Sequence, residues 1–190
     1  ALDVQGKEDV NVVAWGGDGS TFDIGLQALS GALERNENFI YVCYDNEAYM
    51  NTGIQRSSAT PWGAWTTTTP ADNMKMEIKK NIMEIVCAHR IPYAATCSLA
   101  YPQDMIAKFE KAKSIKGAKF LHVYSPCPPG WKLRDDLTIR ISRMAVKARI
   151  FPIYEVLNGI DFKMTVEEPV KEGVKDYIKL QRRFSHLTDE

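Results

Sequence analysis

Residues 10–19 read Val-Asn-Val-Val-Ala-Trp-Gly-Gly-Asp-Gly, an apolar run rich in β-branched residues that stops at a glycine cluster. Residues 10–15 read as a buried strand, and Gly16, Gly17 and Gly19 let the backbone turn sharply around Asp18. In the stretch that follows, STFDIGLQALSGALERN, Leu26, Leu29 and Leu33 recur at helical spacing with Ile24 beside them, and Ser20 or Thr21 is the expected N-cap. Residues 39–44, FIYVCY, form a second buried strand. Strand, helix and strand make a βαβ unit, whose two strands lie parallel with a right-handed crossover.

Beyond this unit, residues 45–70 carry little periodicity and end in PWGAWTTTTP. A loop this long inside a compact domain is uncommon and usually functional. A helical pattern resumes over 72–90 through Met74, Ile78, Ile82, Ile85 and Val86, and residues 93–99 predict a third strand. Residues 103–113 predict an amphipathic helix in which Lys108, Glu110, Lys111 and Lys113 read as a solvated face. A fourth strand is expected over 119–124 and a further helix over 138–148. From 151 onward short strands are expected around Asn158-Gly159, with a last helix near 174–183. Such alternation predicts an α/β fold with a mostly parallel sheet flanked by helices. It is read as a single domain over 1–190, its tail from about 151 packing on the domain or on a partner. Ligands of such sheets bind outside the carboxyl ends of strands, where the loops after the first and second strands lie.

The chain has 190 residues, 45% hydrophobic and 25% charged, with a formal net charge of zero. That balance offers no electrostatic footprint for nucleic acid or an anionic membrane surface. No apolar run approaches the roughly 20 residues of a membrane span. The N-terminus lacks the basic start and apolar stretch of a signal peptide, and its abrupt beginning suggests processing or a lost upstream segment. Cys43, Cys87, Cys97 and Cys127 form no C-x-x-C pair. Without a secretory signal this argues against a disulfide framework and for a reducing, cytoplasmic setting. Most of the cysteines are expected to be small buried apolar residues. His89, His122 and His186 show no metal spacing and read as structural.

Asp18 ends the first strand and Asn46 follows the second, with one helix between them. The crossover returns both to the same end of the sheet, where a carboxylate and an amide oxygen can share a hard divalent cation such as magnesium. Glycines around Asp18 allow close backbone approach, and the unpaired N–H groups of a helix start suit a diphosphate. Taken alone, the Gly-Asp-Gly motif is better read as a glycine turn with a capping aspartate, and Asp45-Asn46 as a turn after a strand. No Gly-Lys-Ser/Thr follows, which excludes a P-loop, and Gly17-x-Gly19 lacks a third glycine at dinucleotide-binding spacing.

Gly-Asp-Gly followed by a helix, a strand and an asparagine at this spacing is similar to the thiamine-diphosphate motif. The stretch YDNEAYMNTGIQRSSATPWGAWTTTTP resembles the β subunits of 2-oxoacid:ferredoxin oxidoreductases of the pyruvate type, as do IPYAATCSLAYP, SPCPPGW and the terminal KLQRRFSHL. The resemblance covers essentially the whole chain. It implies a thiamine-diphosphate-binding fold in which Mg2+ is held by Asp18, Asn46 and the carbonyl of Ala48. Gly17 and Gly19 would approach the diphosphate. Asn51 would face the thiazolium and the bound oxoacid as the candidate catalytic hydrogen-bond donor, with Thr52 and Gly53 shaping the pocket. Cys127 matches the fourth ligand of a [4Fe–4S] cluster, whose other three thiolates lie in upstream sequence or on another chain.

The implied activity is oxidative decarboxylation of pyruvate to acetyl-CoA and CO2, with electrons passing through [4Fe–4S] clusters to ferredoxin. The implied partners are a subunit bearing the pyrimidine-side thiamine domain, which supplies the activating glutamate, and a ferredoxin-like subunit. Oxalate or another 2-oxoacid is an alternative substrate, and a non-oxidative thiamine-dependent decarboxylase or synthase an alternative class. Trp62 and Trp65 either line the site or pack beneath it. Arg56 either meets an anionic ligand or is an exposed arginine.

Overall fold

The computed structural model describes residues 3–7, 10–169 and 173–187. Its strands are β1 (Val13–Gly17), β2 (Phe39–Asp45), β3 (Tyr93–Ser98), β4 (Ala118–Tyr124), β5 (Ile153–Leu157) and β6 (Asp161–Val166). They form one sheet in the order β1-β2-β4-β3-β5-β6. The first four are mutually parallel; β5 runs antiparallel to β3, and β6 antiparallel to β5. The central strands β3 and β4 are buried along their whole length, which explains their near-continuous apolar sequences.

Helices cover both faces. From one face of the sheet Cys43, Ala94 and Phe120 join a core with Phe22, with Leu29 and Leu33 of α1 (Leu26–Glu34), and with Ile82, Met83 and Val86 of α2 (Ile82–Ala88). From the opposite face Ile40, Val42, Ala95 and Leu121 pack against Met105 and Phe109 of α3 (Pro102–Ser114). A third cluster joins Tyr124 at the carboxyl end of β4 to Trp131 of the one-turn helix α4 (Pro128–Trp131). It also takes in Ile141 and Met144 of α5 (Thr138–Lys147) and Tyr177 of α6 (Val174–Lys179). The mostly parallel α/β architecture expected from the sequence is therefore present.

Four local expectations are corrected. The first strand is not buried: it begins at Val13 and forms the sheet edge, with Val13 53% and Trp15 63% exposed. β-branched residues favour a strand without specifying how many neighbours it has. Ser20 and Thr21 do not cap a helix. Their hydroxyls donate to the Gly17 carbonyl at 2.9 and 2.7 Å, a π-helical turn spans Gly19–Ile24, and α1 starts only after Gly25. That turn swings Ile24 out to solvent and puts Phe22 into the core.

The helix expected over 72–90 is reduced to α2, preceded by a 3-10 turn over Ala71–Asn73. The intervening backbone is held out of a helix by three lysines reaching inward. Lys75 donates to the Thr60 carbonyl, Lys79 to Asp45 and Glu47, and Lys80 to the Phe22 carbonyl. Asn81 then caps α2 by accepting from the Glu84 amide. Finally, Lys108 is not part of a solvated face. It is buried, donating to the Thr96 carbonyl, Asp104 and Thr165, while Lys111 pairs with Glu155.

Candidate functional site

The turns leaving β1 and β2 meet at the carboxyl end of the sheet, because parallel pairing aligns Gly17 with Tyr44. Asp18 is buried there. Its Oδ2 accepts from Ser57 Oγ at 2.5 Å, and its Oδ1 from the Asn46 amide N–H at 3.4 Å. The side-chain amide of Asn46 bridges Asp18 and Ala48. With its nitrogen inward it donates to Asp18 Oδ1 at 2.9 Å and to the Ala48 carbonyl at 2.8 Å; with its oxygen inward, that oxygen stands beside the other two. Burial, followed by the nearby charge of Asp45, pushes the Asp18 carboxyl up to about 8. A cation placed among the three donors would favour its ionised form.

The turn bearing Asn46 and Ala48 is fixed from behind. The Asn46 carbonyl accepts from Trp131 Nε1 at 2.8 Å, and the Glu47 carbonyl from Thr60 Oγ1 at 2.6 Å. Glu47 itself lies in the left-handed region, with φ 66°. Its buried carboxylate accepts from Lys79 at 2.9 Å and from Arg183 at 2.6 Å. Asp45 accepts from Lys79 at 2.5 Å and pairs with His122 Nε2 at 2.8 Å. Burial drives the Asp45 carboxyl upward, but Lys79 and then His122 outweigh it and hold the group at about 2. Burial lowers His122, with Asp45 opposing.

A cleft of about 240 Å³ opens in front of these turns, bordered by Gly17, Asp18, Gly19, Asn46, Asn51 and Thr52. Gly19 is required by close approach, since a Cβ there would collide with the Tyr49 ring. Asn51 and Thr52 are exposed at the mouth, and Thr52 Oγ1 donates to Gln55 Oε1 at 3.0 Å. Gly53, with φ 109°, closes the tight turn that pairs Tyr49 with Gln55. The π-helical turn after Asp18 is held by Asp23, which accepts from Ser58 and from Lys80.

Cys127 is partly buried at the start of α4. Met50, which borders the cleft, packs against Gly130 of the same segment. Among the described residues no group of three or more His, Cys, Asp or Glu could hold a metal; Cys127 has no companion thiolates there. Arg56 pairs with Glu77 at the surface. Neither tryptophan of the long loop borders the cleft: Trp62 is exposed, and Trp65 lies under the Lys132 ammonium. The sequence thus brings Asp18, Asn46, Ala48, Asn51 and Thr52 together, while the roles of Ser57, Glu47, Trp131 and Arg183 went unread. A serine in a long loop and a charged residue in a tail carry no periodic or spacing signal of what they will touch.

Known proteins resemble this chain over most of its length. The family described as "Thiamine pyrophosphate enzyme, C-terminal TPP binding domain" matches residues 1–123. Ketoisovalerate oxidoreductase subunit VorB of Pyrococcus furiosus is 51% identical, over 98% of this chain and 61% of its own length. Pyruvate synthase subunit PorB of Methanothermobacter thermautotrophicus is 49% identical, over 100% of this chain and 67% of its own. The chain therefore spans about three fifths to two thirds of these relatives. A solved structure of 2-oxoglutarate:ferredoxin oxidoreductase from Magnetococcus marinus, with 2-oxoglutarate, coenzyme A and succinyl-CoA bound, superposes with a TM-score of 0.61. It is 27% identical, covering 67% of this chain and 44% of that one. With its fold and these relatives in agreement, the chain belongs to the thiamine-diphosphate-binding subunit family of the 2-oxoacid:ferredoxin oxidoreductases.

Proposed function

We propose that the cleft at the ends of β1 and β2 binds thiamine diphosphate through Mg2+, and that the chain is the thiamine-binding part of an oxidoreductase that decarboxylates pyruvate. The observation that carries this reading is the spacing of donors around Asn46. Magnesium bonds oxygens at about 2.0–2.1 Å in an octahedron, so adjacent ligands stand about 2.9 Å apart. The separations from the inward atom of the Asn46 amide to Asp18 and Ala48 are 2.9 and 2.8 Å. Three donors, one of them anionic, leave the remaining positions to diphosphate oxygens and water.

Asp18, the amide oxygen of Asn46 and the Ala48 carbonyl hold the ion. Gly17 and Gly19, both bordering the cleft, would let a diphosphate approach the backbone where the π-helical turn starts. When bound, thiamine supplies the carbanion and electron sink that decarboxylation of a 2-oxoacid requires. Asn51, at the mouth of the cleft, donates a hydrogen bond to charge developing on the oxoacid, and Thr52 and Gly53 shape the same wall. Cys127 would supply one thiolate of a [4Fe–4S] cluster completed from outside the described residues, which would give the site a one-electron carrier. The Met50 contact with the Cys127 segment supports a short path between cleft and cluster.

Coenzyme A as acyl acceptor is supported by the ligands named for the Magnetococcus marinus structure. Partner subunits are supported by Ile24, which borders the cleft and is 80% exposed, and by the open edge of β1 with Trp15. The four free cysteines suit a reducing cytoplasm; among the described residues no helix is long and apolar enough to cross a membrane.

A branched-chain 2-oxoacid is the second reading, favoured by the Pyrococcus furiosus relative named for ketoisovalerate. Viologen reduction by the assembled enzyme on pyruvate, ketoisovalerate, 2-oxoglutarate and oxalate separates the readings. Preference for pyruvate is expected, and indifference to all four sinks both. Thiamine diphosphate bound with Mg2+ by the wild type, and lost in Asp18→Ala, tests the cofactor site.

A further inference from the structure

We infer that Arg183 is a positioning residue for the metal-binding turn, holding Asn46 and Ala48 in register through Glu47 and Trp131. The inference rests on the proposed Mg2+–diphosphate site. Glu47 stands between the two proposed ligands and occupies the left-handed region with φ 66°, a conformation that a glutamate keeps only where its surroundings over-determine it. Relaxation of that φ would rotate the Asn46 side chain relative to the Ala48 carbonyl. Two cations oppose it: Arg183 Nη2 at 2.6 Å from Glu47 Oε2, and Lys79 Nζ at 2.9 Å from Oε1.

Arg183 acts on the turn by a second route. Its guanidinium lies 3.8 Å from the centre of the Trp131 ring, and that ring's Nε1 donates to the Asn46 carbonyl at 2.8 Å. One buried side chain therefore meets both the carboxylate of Glu47 and the indole that fixes the preceding carbonyl, from 136 positions away. The guanidinium is itself aimed, since Arg183 Nε donates to Gln181 Oε1 at 2.9 Å. Neither Arg183 nor Trp131 borders the cleft. Their effect on a bound metal must pass through the backbone of residues 46–48.

The test is equilibrium dialysis of thiamine diphosphate with Mn2+ against the assembled enzyme, the bound ion read by its EPR spectrum. Arg183→Met is expected to raise the half-saturating cofactor concentration about tenfold or more, because it leaves buried Glu47 with only the partly exposed Lys79. Trp131→Phe, which keeps a ring under Arg183 and removes only the donor, is expected to raise it about three- to tenfold. Arg183→Lys should fall between wild type and Arg183→Met. The deficit should show in the cofactor concentration for half-maximal rate more than in the plateau, with an altered Mn2+ spectrum. Folded Arg183→Met binding within about twofold of wild type overturns the inference; if that variant does not fold, the same result for Trp131→Phe does so. A wild-type enzyme that binds no Mn2+ with thiamine diphosphate overturns the underlying site reading as well.

Discussion

The hydroxyl of Tyr49 donates to the Gly19 carbonyl at 2.9 Å, with its ring where a side chain on Gly19 would stand. The turn after β1 and the turn after β2 are thereby locked face to face, 30 residues apart in sequence. Asp18 belongs to the first turn and Asn46 and Ala48 to the second, so this contact sets their separation.

Gly19→Ala should force the Tyr49 ring aside and open the gap between the two turns. Affinity for thiamine diphosphate with Mg2+ is expected to fall by about tenfold or more, while Tyr49→Phe, losing the hydroxyl shared between Gly19 and Asp23, costs about 1 kcal/mol of stability. Calorimetric titration of the assembled enzyme and urea melts measure the two effects. Full affinity in Gly19→Ala would refute the expectation.

Asp23 gives the site a pH dependence. Burial pushes its carboxyl upward, but the Ser58 hydroxyl and amide, then Lys80, outweigh burial and hold it below its ordinary 3.8. The folded chain thus binds this proton less tightly than the unfolded chain. The resulting stabilisation is fully present above 3.8 and is lost as pH falls through the lowered folded value. Asp23→Asn should therefore be less stable than wild type at pH 7, with the gap closing in increasingly acid buffer. Denaturant melts across that range check the sign.

Lys79 is the common partner of Asp45 and Glu47, both buried. Lys79→Met leaves Asp45 with His122 and Glu47 with Arg183, placing two carboxylates in an apolar setting with one cation fewer. A loss of about 3–5 kcal/mol is expected, as for other broken buried pairs. Lys79→Arg should recover part of it. A midpoint shift in guanidinium chloride equivalent to less than about 1 kcal/mol would count against the network as a structural element.

Cys127→Ala separates electron transfer from cofactor binding. The iron of the Cys127 cluster and reduction of ferredoxin should be lost, while thiamine diphosphate affinity stays within about twofold of wild type. Iron analysis alongside titration distinguishes this from a non-oxidative thiamine enzyme, in which Cys127→Ala would leave turnover intact.

The sheet and the two turns at its end were legible because their signals are local. Runs such as FIYVCY and KFLHVY announce strands, and Gly-Asp-Gly marks a break where the chain must turn. Whether a strand is central depends on neighbours supplied by distant sequence, so exposed Val13 and Trp15 read as buried. The helical pattern of 72–81 yields to Lys75, Lys79 and Lys80, whose inward hydrogen bonds are tertiary and leave no periodic trace. Lys108 likewise looks like any solvated lysine until β3 and Thr165 arrive beside it. Asp18 and Asn46 could be paired because a single crossover joins them; Glu47 and Arg183 could not, because most of the chain intervenes.

Placing Asp18 in the turn after an edge strand has a geometric consequence. Among the described residues, a molecule in that cleft has the β2 turn on one flank and exposed Ile24 on the other, beside the unpaired edge of β1. On the function proposed above, shielding of the reacting centre from stray protons would fall to a partner closing over that flank, and turnover would then depend on assembly.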